Sequence, residues 1–312
     1  MQESTPTPLS GSLLMRRHRV PRRITYIVGV FLLAGVLLLP FHLGQPGEPG
    51  AQQRPLPPVL LPEPAHAWIG ARHLIVVCGH AVFIGRDRSK PERLEDESQW
   101  FLETFQHGQL GTMLAHIERG VQLAAADNSS LLLFSGGETR VTAGPRSEAA
   151  SYWEAADAHG WWGMPHVRER AGLEVQARDS FENVLFAMCR FHELSGAYPE
   201  RLTVVSFGFK RWRFEELHRA ALRFPRTRFS FSGVDPPGLD PSVTEGEKAR
   251  SARPFELDPY GCTDPGLRRK RAERNPFRRS VSYPPESCPA MAGLMAHCSK
   301  EMYSGTLPWS HT

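Results

Sequence analysis

Three short stretches of glycine and polar residues could do chemistry in this sequence, because each directly follows an apolar run. Gly79 and His80 follow LIVVC, residues 135–138 follow LLLF, and residues 207–211 follow LTVVS. Glycine lets the backbone approach a ligand closely, and Lys or Arg near a helix start favours an anion. The pattern predicts a site for a small anionic, nucleotide-like or sugar-phosphate ligand. The predicted ligand-binding residues are Gly79, Ser135, Gly136, Gly137, Asn183, Lys210 and Arg213.

Two carboxylates stand where helices are expected to begin, Glu148 in SEAAS and Glu182 in DSFEN. Such motifs can simply cap a helix, with Ser or Asp accepting free amides and Glu favoured in the first turn. Alternatively, Glu148 or Glu182 is a general acid/base in the cleft, and Asn183 orients the substrate. His80 is a third candidate for proton transfer, although a lone His after a strand is more often structural. Both interpretations stay open.

Several motifs that carry known chemistry are absent from the sequence. It has no G-x-G-x-x-G and no G-x-x-x-x-G-K-[ST], so the NAD-type and P-loop assignments lack their signatures. G-x-S-x-G, H-E-x-x-H and C-x-x-C are also missing, which argues against serine hydrolases, zinc proteases and zinc ribbons. No set of metal ligands is evident, and the sequence names no cofactor.

The elements that must position these residues alternate between short apolar runs and helical patterns. Continuous apolar strands separated by helices predict a mainly parallel sheet covered on both faces, a Rossmann-like three-layer α/β sandwich. Ligands bind at the carboxyl ends of such strands, where the candidate residues converge. Strands are predicted at 74–78, 131–134, 173–175, 202–206 and 228–232, and helices at 111–127, 147–159, 180–194 and 211–224.

Four ordered blocks, LLLFSGGETR, RSEAASYW, ARDSFENVLFAMCRF and LTVVSFGFKRWRF, resemble the YdcF, SanA and ElyC-like family known as domain of unknown function 218, and its fungal branch most. The resemblance covers residues 73–235. It implies a Rossmann-like fold in an uncharacterised family without an agreed reaction, and it places the family's Gly-Gly, Ser-Glu-Ala and Thr-x-Glu-Asn positions on residues 136–137, 147–149 and 180–183. Lys210 stands where bacterial members usually have a His, and Arg213 matches their Arg, so binding of charge is expected there more than proton transfer.

The N-terminal part predicts a membrane anchor. Residues 24–39 carry no charge, and residues 24–43 would span about 30 Å as a helix, enough for a thin bilayer. The basic stretch MRRHRVPRR, just before this run, favours a cytosolic location for residues 1–23. The protein would then cross the membrane once with type II topology, and its body would lie in the lumen of the endoplasmic reticulum or Golgi. A cleaved signal peptide and a mitochondrial presequence are the weaker alternatives. Residues 44–67 are a Pro/Gly-rich linker, and the body is predicted at 68–235.

Residues 236–312 form a Pro/Arg-rich extension, predicted to be an irregular tail. In a lumenal protein its cysteines could form a disulfide, for which Cys262–Cys288 is the first choice and Cys288–Cys298 the rival. Cys78 and Cys189 lie in apolar patterns and are expected to be buried thiols. The basic run 268–279 is expected to be a solvated face or a clamp on an acidic surface. Asn128-Ser129-Ser130 is an N-glycosylation pattern that a lumenal body could use.

The charge distribution argues against nucleic acid as the partner. The formal net charge is +4, but residues 1–66 contain six Arg and three Glu, which leaves 31 basic and 30 acidic residues for the rest. A broad basic face for phosphate backbones is therefore not expected. The leading hypothesis is a membrane-anchored domain that binds and transforms a small anionic ligand; whether it is an enzyme stays open. The alternative is a non-catalytic, membrane-tethered binding or scaffold domain with an unknown protein partner.

Overall fold

The computed structural model describes residues 68–281 and 283–310, all within one structural unit that comprises residues 54–312. The predicted membrane span at 24–43 and linker at 44–67 lie outside the described residues. Over the described ranges, no helix combines the length and apolar character that crossing a bilayer requires.

The centre of the fold is a five-stranded parallel sheet, in which four of the strands alternate in sequence with helices. Its spatial strand order is β5-β4-β1-β6-β7, so the chain adds strands on one side of β1 and then on the other. The crevice between the carboxyl ends of β1 and β6 is where that reversal occurs, and such switch points are the usual ligand sites of open α/β sheets. The strands are β1 His73–Cys78, β4 Ser130–Ser135, β5 Ala171–Glu174, β6 Arg201–Ser206 and β7 Phe229–Gly233, and a separate antiparallel pair is β2 Val82–Phe83 with β3 Trp100–Phe101.

Helices α2 and α3 cover one face of the sheet, and α4 and α5 cover the other. Alternate residues of β1 show the division, since Leu74 and Val76 belong to the apolar cluster on the α4 face and Ile75 and Val77 to the cluster on the α2 face. The predicted mainly parallel α/β sheet is therefore confirmed. The helices are α1 Pro91–Leu94, α2 Leu110–Ala125, α3 Glu148–Ala158, α4 Ser180–Ser195, α5 Arg219–Ala221 after a π-helical segment Arg213–His218, α6 Pro241–Glu247, α7 Arg253–Leu257 after a π-helical segment Lys248–Ala252, α8 Pro265–Glu273 and α9 Ala292–Ala296.

Local signals define the two helices that begin at the carboxyl edge. Ser147 caps α3 by accepting a hydrogen bond from the Ala150 amide, and Asp179 caps α4 by accepting from the amides of Phe181 and Glu182. Helix α4 ends where Gly196 adopts a left-handed φ of 76°, a conformation that glycine takes at little cost. The helix-start interpretation of both motifs is thus confirmed.

The predicted irregular tail after residue 235 is wrong, because that part contains α6–α9 and completes the core on the α4 face. Phe255, Tyr260, Leu267 and Trp309 are each at most 4% exposed there. These apolar residues are spread thinly among prolines and charges, so no periodic pattern announced them in the sequence.

The predicted Cys262–Cys288 disulfide is also wrong. Cys288 bonds Cys189 of α4, and Cys262 bonds Cys298, with Cα–Cα distances of 5.1 and 5.6 Å. Packing of the extension against α4 brings Cys288 to Cys189, which was expected to be a free buried thiol. Cys78 is the free cysteine among the described residues, and it is buried as expected.

Candidate functional site

The crevice between β1 and β6 contains a hydrogen-bonded chain of three polar side chains. His80 follows β1, and its Nε2 lies 3.1 Å from Ser206 Oγ, the last residue of β6. Its Nδ1 lies 3.5 Å from Lys210 Nζ, which the 3₁₀ turn Gly208–Lys210 carries past the end of β6. Two of the predicted residues, His80 and Lys210, are therefore brought together as expected.

Lys210 is a cation with aromatic and basic neighbours. Its Nζ lies 4.8 Å from the ring centre of Phe207 and 5.7 Å from that of Phe209, and among the described residues it forms no ion pair. Burial and then the nearby Arg213 guanidinium lower the pKa of Lys210 from 10.5 to about 7. An ammonium in such a position gains stability from an anion that enters the crevice.

The imidazoles beside Lys210 are held neutral. Burial, followed by the Lys210 charge, lowers the pKa of His80 well below 6.5. His116 of α2 packs edge-on to Phe207 and its Nε2 lies 2.9 Å from the Val234 carbonyl oxygen, while burial lowers its pKa to about 4. His80 is therefore an uncharged hydrogen-bonding group near neutral pH, and burial and the Lys210 charge oppose its protonation.

The glycines that follow β1 and β4 pack against α3 and do not cradle a ligand. A Cβ at Gly79 would lie 2.6 Å from Glu148 Cβ, and one at Gly136 would lie 2.7 Å from Glu148 Oε2. The amides of Gly79, Gly136 and Gly137 donate to the carbonyls of Ser135, Glu174 and Ala177. The predicted ligand binding by these three glycines is therefore corrected: their amides are already used, the missing side chains of Gly79 and Gly136 let Glu148 approach, and that of Gly137 lets the Val175 and Ala177 carbonyls approach.

Glu148 reaches the carboxyl edge from the first turn of α3. Its Oε1 accepts a hydrogen bond from Thr139 Oγ1, and its side chain lies between the glycines that end β1 and β4. The Arg274 guanidinium of α8 is close enough for the two charges to attract. Glu148 therefore lies at the carboxyl edge, where a general acid/base was predicted. Of the two predicted carboxylates, Glu148 and Glu182, it is the one with this position.

Glu182 has a different environment from the one expected. Its carboxylate accepts from the backbone amide, Nε and Nη2 of Arg178, and its Oε1 also lies 3.3 Å from Arg271 Nε. Arg271 Nε is 2.6 Å from Asp179 Oδ2, and although burial acts in the opposite sense, this guanidinium lowers the pKa of Asp179 to about 2. These contacts fix the start of α4 to α8, and they leave Glu182 no lone pair aimed at a substrate.

Ser135 and Asn183, predicted ligand-binding residues, lie in a buried network. Ser135 Oγ donates to Glu174 Oε2, and Asn183 Nδ2 donates to the Ser135 carbonyl at 3.1 Å. Burial raises the pKa of Glu174 to about 7, although the amides of Gln176 and Ala177 also donate to it. The network ties β4, β5 and α4 together below the edge, so it positions the site and does not face it.

Arg213 is buried and paired within the chain. Its Nε lies 3.1 Å from Glu247 Oε1 of α6, and both side chains are less than 10% exposed. The guanidinium still lowers the pKa of Lys210. The prediction that Arg213 binds the ligand directly is therefore corrected: its guanidinium is paired with Glu247 and acts on the crevice through its charge.

The basic run places two further cations at the edge that sequence reasoning did not assign to the site. Lys270 and Arg274 are four residues apart on α8, with Arg274 at its C-cap, and among the described residues neither forms an ion pair. Arg274 Nη1 donates to the Arg178 carbonyl at 2.9 Å, beside the α4 N-cap. The i, i+4 spacing of Lys270 and Arg274 is visible in the sequence, but it places both side chains on one face only if this segment is known to be a helix.

Three further observations on the described residues bear on the predictions. A groove of about 180 Å³ beside the start of α3 contains none of the predicted ligand-binding or catalytic residues; it is lined by Phe83, Arg88, Glu138, Pro145, Arg146, Ser147, Ala150, Ser151, Glu154 and Val175. Asn128 is exposed in the turn between α2 and β4, at the opposite edge from Lys210. Within 68–281 and 283–310, no group of three His, Cys, Asp or Glu side chains is placed to hold a metal ion.

Comparison with known proteins gives one relative of unknown activity. An uncharacterized protein of Saccharomyces cerevisiae is 25% identical to this chain, over 59% of the chain and 76% of the relative. No family model matches the chain, and no solved structure matches it. The resemblance to the YdcF-like family therefore has no support beyond the motifs themselves.

Proposed function

We propose that this chain is a Rossmann-like, YdcF-like domain that binds a small anionic ligand at the carboxyl edge of its sheet and acts on it there. The observation that carries the proposal is Lys210, a lysine that forms no ion pair among the described residues and lies at the switch point between β1 and β6. When the strands of the sheet are numbered along the chain, their spatial order is 3-2-1-4-5, that of the dinucleotide-binding fold without its sixth strand, and ligands of that fold bind at this edge.

The geometry favours a phosphate-bearing ligand of the nucleotide or sugar-phosphate kind. Lys210 supplies the charge that binds the anion, and Arg213 behind it adds positive potential. His80 is neutral and within hydrogen-bonding reach of Lys210, and Glu148 offers a carboxylate at the same edge. Glu148 is the proposed general acid/base, and His80, fixed by Ser206, is the proposed hydrogen-bonding group that positions Lys210.

The experiment is a ligand panel on the full-length chain purified in mild detergent. Thermal unfolding is followed with inorganic phosphate, methyl phosphate, nucleoside diphosphates and hexose phosphates, and each stabilising ligand is then titrated by calorimetry. Lys210→Met keeps the length of the side chain and removes its charge, so we expect about tenfold weaker binding or worse. The exposed Lys300→Met is the matched control and should bind as the parent does. Equal affinity of Lys210→Met and the parent would refute the site.

Turnover of the same ligands separates an enzyme from the alternative binding domain. Glu148→Gln should bind the ligand and lose turnover if Glu148 is the acid/base. A ligand that binds at Lys210 and is never converted, under conditions in which the parent chain is folded, would favour the non-catalytic function.

We also propose that residues 24–43 anchor the body to a membrane and that the body is lumenal. Two disulfides in the described residues suit an oxidising compartment, and Asn128 is accessible for glycosylation. A protease-protection and glycosidase-shift assay on microsomes tests both. A protected, glycosidase-sensitive body is expected, whereas a digested, unmodified body would place the domain in the cytosol.

A further inference from the structure

The C-terminal extension carries the larger share of the unpaired positive charge at the carboxyl edge. Seven cationic and six anionic side chains lie around the crevice and the start of α4, an excess of one positive charge when Lys210 is protonated. The cations are Arg140, Arg178, Lys210, Arg213, Lys270, Arg271 and Arg274, and the carboxylates are Glu103, Glu148, Asp179, Glu182, Glu247 and Asp258.

Four ion pairs neutralise most of these charges and leave three of the cations unpaired among the described residues. Arg140 pairs with Glu103 at 3.3 Å, and the other pairs are Arg178–Glu182, Arg213–Glu247 and Arg271–Asp179. Lys210, Lys270 and Arg274 then remain without an ion pair among the described residues. Of the remaining carboxylates, Glu148 accepts from Thr139 Oγ1 and attracts Arg274, and Asp258 accepts from the amides of Thr263 and Asp264. Burial of three cations beside one another costs free energy, and a bound anion is the usual means of offsetting that cost.

Helix α8 is held in place by contacts that do not use Lys270 or Arg274. Arg271 reaches Asp179 and Glu182 of α4, and Leu267 is 3% exposed in the core. Gly261, at a φ of 64°, leaves room for the Arg271 guanidinium, since a Cβ there would lie 2.8 Å from Nη2. The disulfide from Cys262 to Cys298 fixes the segment before α8. The helix is docked without them. Lys270 donates one hydrogen bond to the Arg250 carbonyl and Arg274 one to the Arg178 carbonyl, and each side chain has further N–H donors for a ligand.

We propose that Lys270 and Arg274 of α8 bind the phosphate of the ligand from the side opposite Lys210, so that the site takes a dianionic phosphate monoester in preference to a monoanionic diester. This rests on the proposed function, because it assigns the substrate class and two further residues to the same site. Three cations without an ion pair among the described residues can neutralise both charges of a phosphate dianion, whereas a diester offers them only one. Arg274 can form two parallel hydrogen bonds to phosphate oxygens, and Lys270 and Lys210 add point charges.

The test compares methyl phosphate with dimethyl phosphate on the full-length chain at pH 7.5, where the monoester is mostly dianionic. The parent chain should bind methyl phosphate about tenfold or more tightly than dimethyl phosphate. Arg274→Gln should weaken methyl phosphate binding by about tenfold and remove most of that preference. Arg269→Gln lies on the outer face of the same helix, with a side chain that is 74% exposed, and should change neither.

The outcomes separate this inference from the proposed function. Weak binding in both Lys210→Met and Arg274→Gln supports both proposals. Weak binding in Lys210→Met with parental affinity and preference in Arg274→Gln and in Lys270→Gln overturns the role of α8 and keeps the site. Parental affinity in Lys210→Met overturns both. Arg274→Lys keeps the charge, so a folded Arg274→Lys with partial binding shows that the loss in Arg274→Gln is not one of folding.

Discussion

The reactivity of Lys210 with an amine reagent should follow pH as no ordinary lysine does. With a pKa of about 7, about half of the Lys210 side chains are neutral at pH 7, whereas a lysine at 10.5 is neutral in about one chain in 3,000. Only the neutral amine reacts. The rate at Lys210 should therefore rise up to pH 7 and level off above about pH 8, because the buried surroundings and Arg213 disfavour the ammonium.

The assay is pulse labelling with acetic anhydride between pH 5.5 and 9, read by peptide mass spectrometry on the full-length chain. The shape of the curve is compared with that of the exposed Lys300 in the same sample, so differences in accessibility cancel. Saturating methyl phosphate should move the Lys210 midpoint upward, because an anion stabilises the ammonium. A Lys210 rate that still rises about tenfold per pH unit between pH 7 and 9 would refute the reasoning.

Four further predictions concern stability and modification. Replacing both cysteines of the Cys189–Cys288 disulfide by Ala should lower the free energy of unfolding by about 4.7 kcal/mol in the chain-entropy treatment, since it closes a loop of 99 residues; denaturant titration measures this, and an unchanged midpoint contradicts it. His116 has a folded pKa of about 4, below its unfolded value of 6.5, so its contribution is intact above pH 6.5 and falls by about 3 kcal/mol as pH drops to 4; His116→Gln should flatten that part of the pH–stability curve by one proton. Glu182→Gln should cost about 3 kcal/mol, because it unpairs Arg178 and leaves Arg271 with Asp179 alone, and parental stability would show that the Glu182 ion pairs do not stabilise the fold. Asn128→Gln should abolish the glycosidase shift and change the unfolding free energy by less than about 0.5 kcal/mol, as expected at an exposed turn.

The regular part of the fold could be predicted because its signals are local. LIVVC and LLLF are too short and too apolar for surface helices, and they became β1 and β4 within one residue at each end. The capping motifs at Ser147 and Asp179 located α3 and α4 equally well. Parallel pairing then placed His80 and Lys210 at one edge without any knowledge of their contacts.

What the sequence could not provide is the partner of each polar group. In the sequence, Glu182 and Glu148 are both carboxylates in the first turn of a helix. Only the packing of α8 against α4 makes Glu182 an ion-paired residue that holds the two helices together, whereas Glu148 stays at the carboxyl edge. The Gly-Gly turn looked open to a ligand, but Glu148 fills that space. The environment of Glu182 depends on contacts between residues about 90 positions apart, as in Arg271 with Asp179, and that of the glycines on the packing of α3 against the sheet.

The prediction of the disulfide pairing was wrong for the same reason. Among five cysteines, proximity in sequence favoured partners within the extension, whereas Cys288 pairs with Cys189 across 99 residues. The entropic cost of closing a loop grows only slowly with its length, so the packing of the extension on α4 readily brings such distant cysteines together.

The most direct test of the central claim is a crystal structure of the full-length chain with a stabilising phosphate monoester from the ligand panel. The account predicts phosphate density within hydrogen-bonding distance of Lys210 Nζ and the Arg274 guanidinium, at the carboxyl ends of β1 and β6. Phosphate density seated instead in the groove beside α3, against Arg146, with the crevice at Lys210 unchanged, would contradict it.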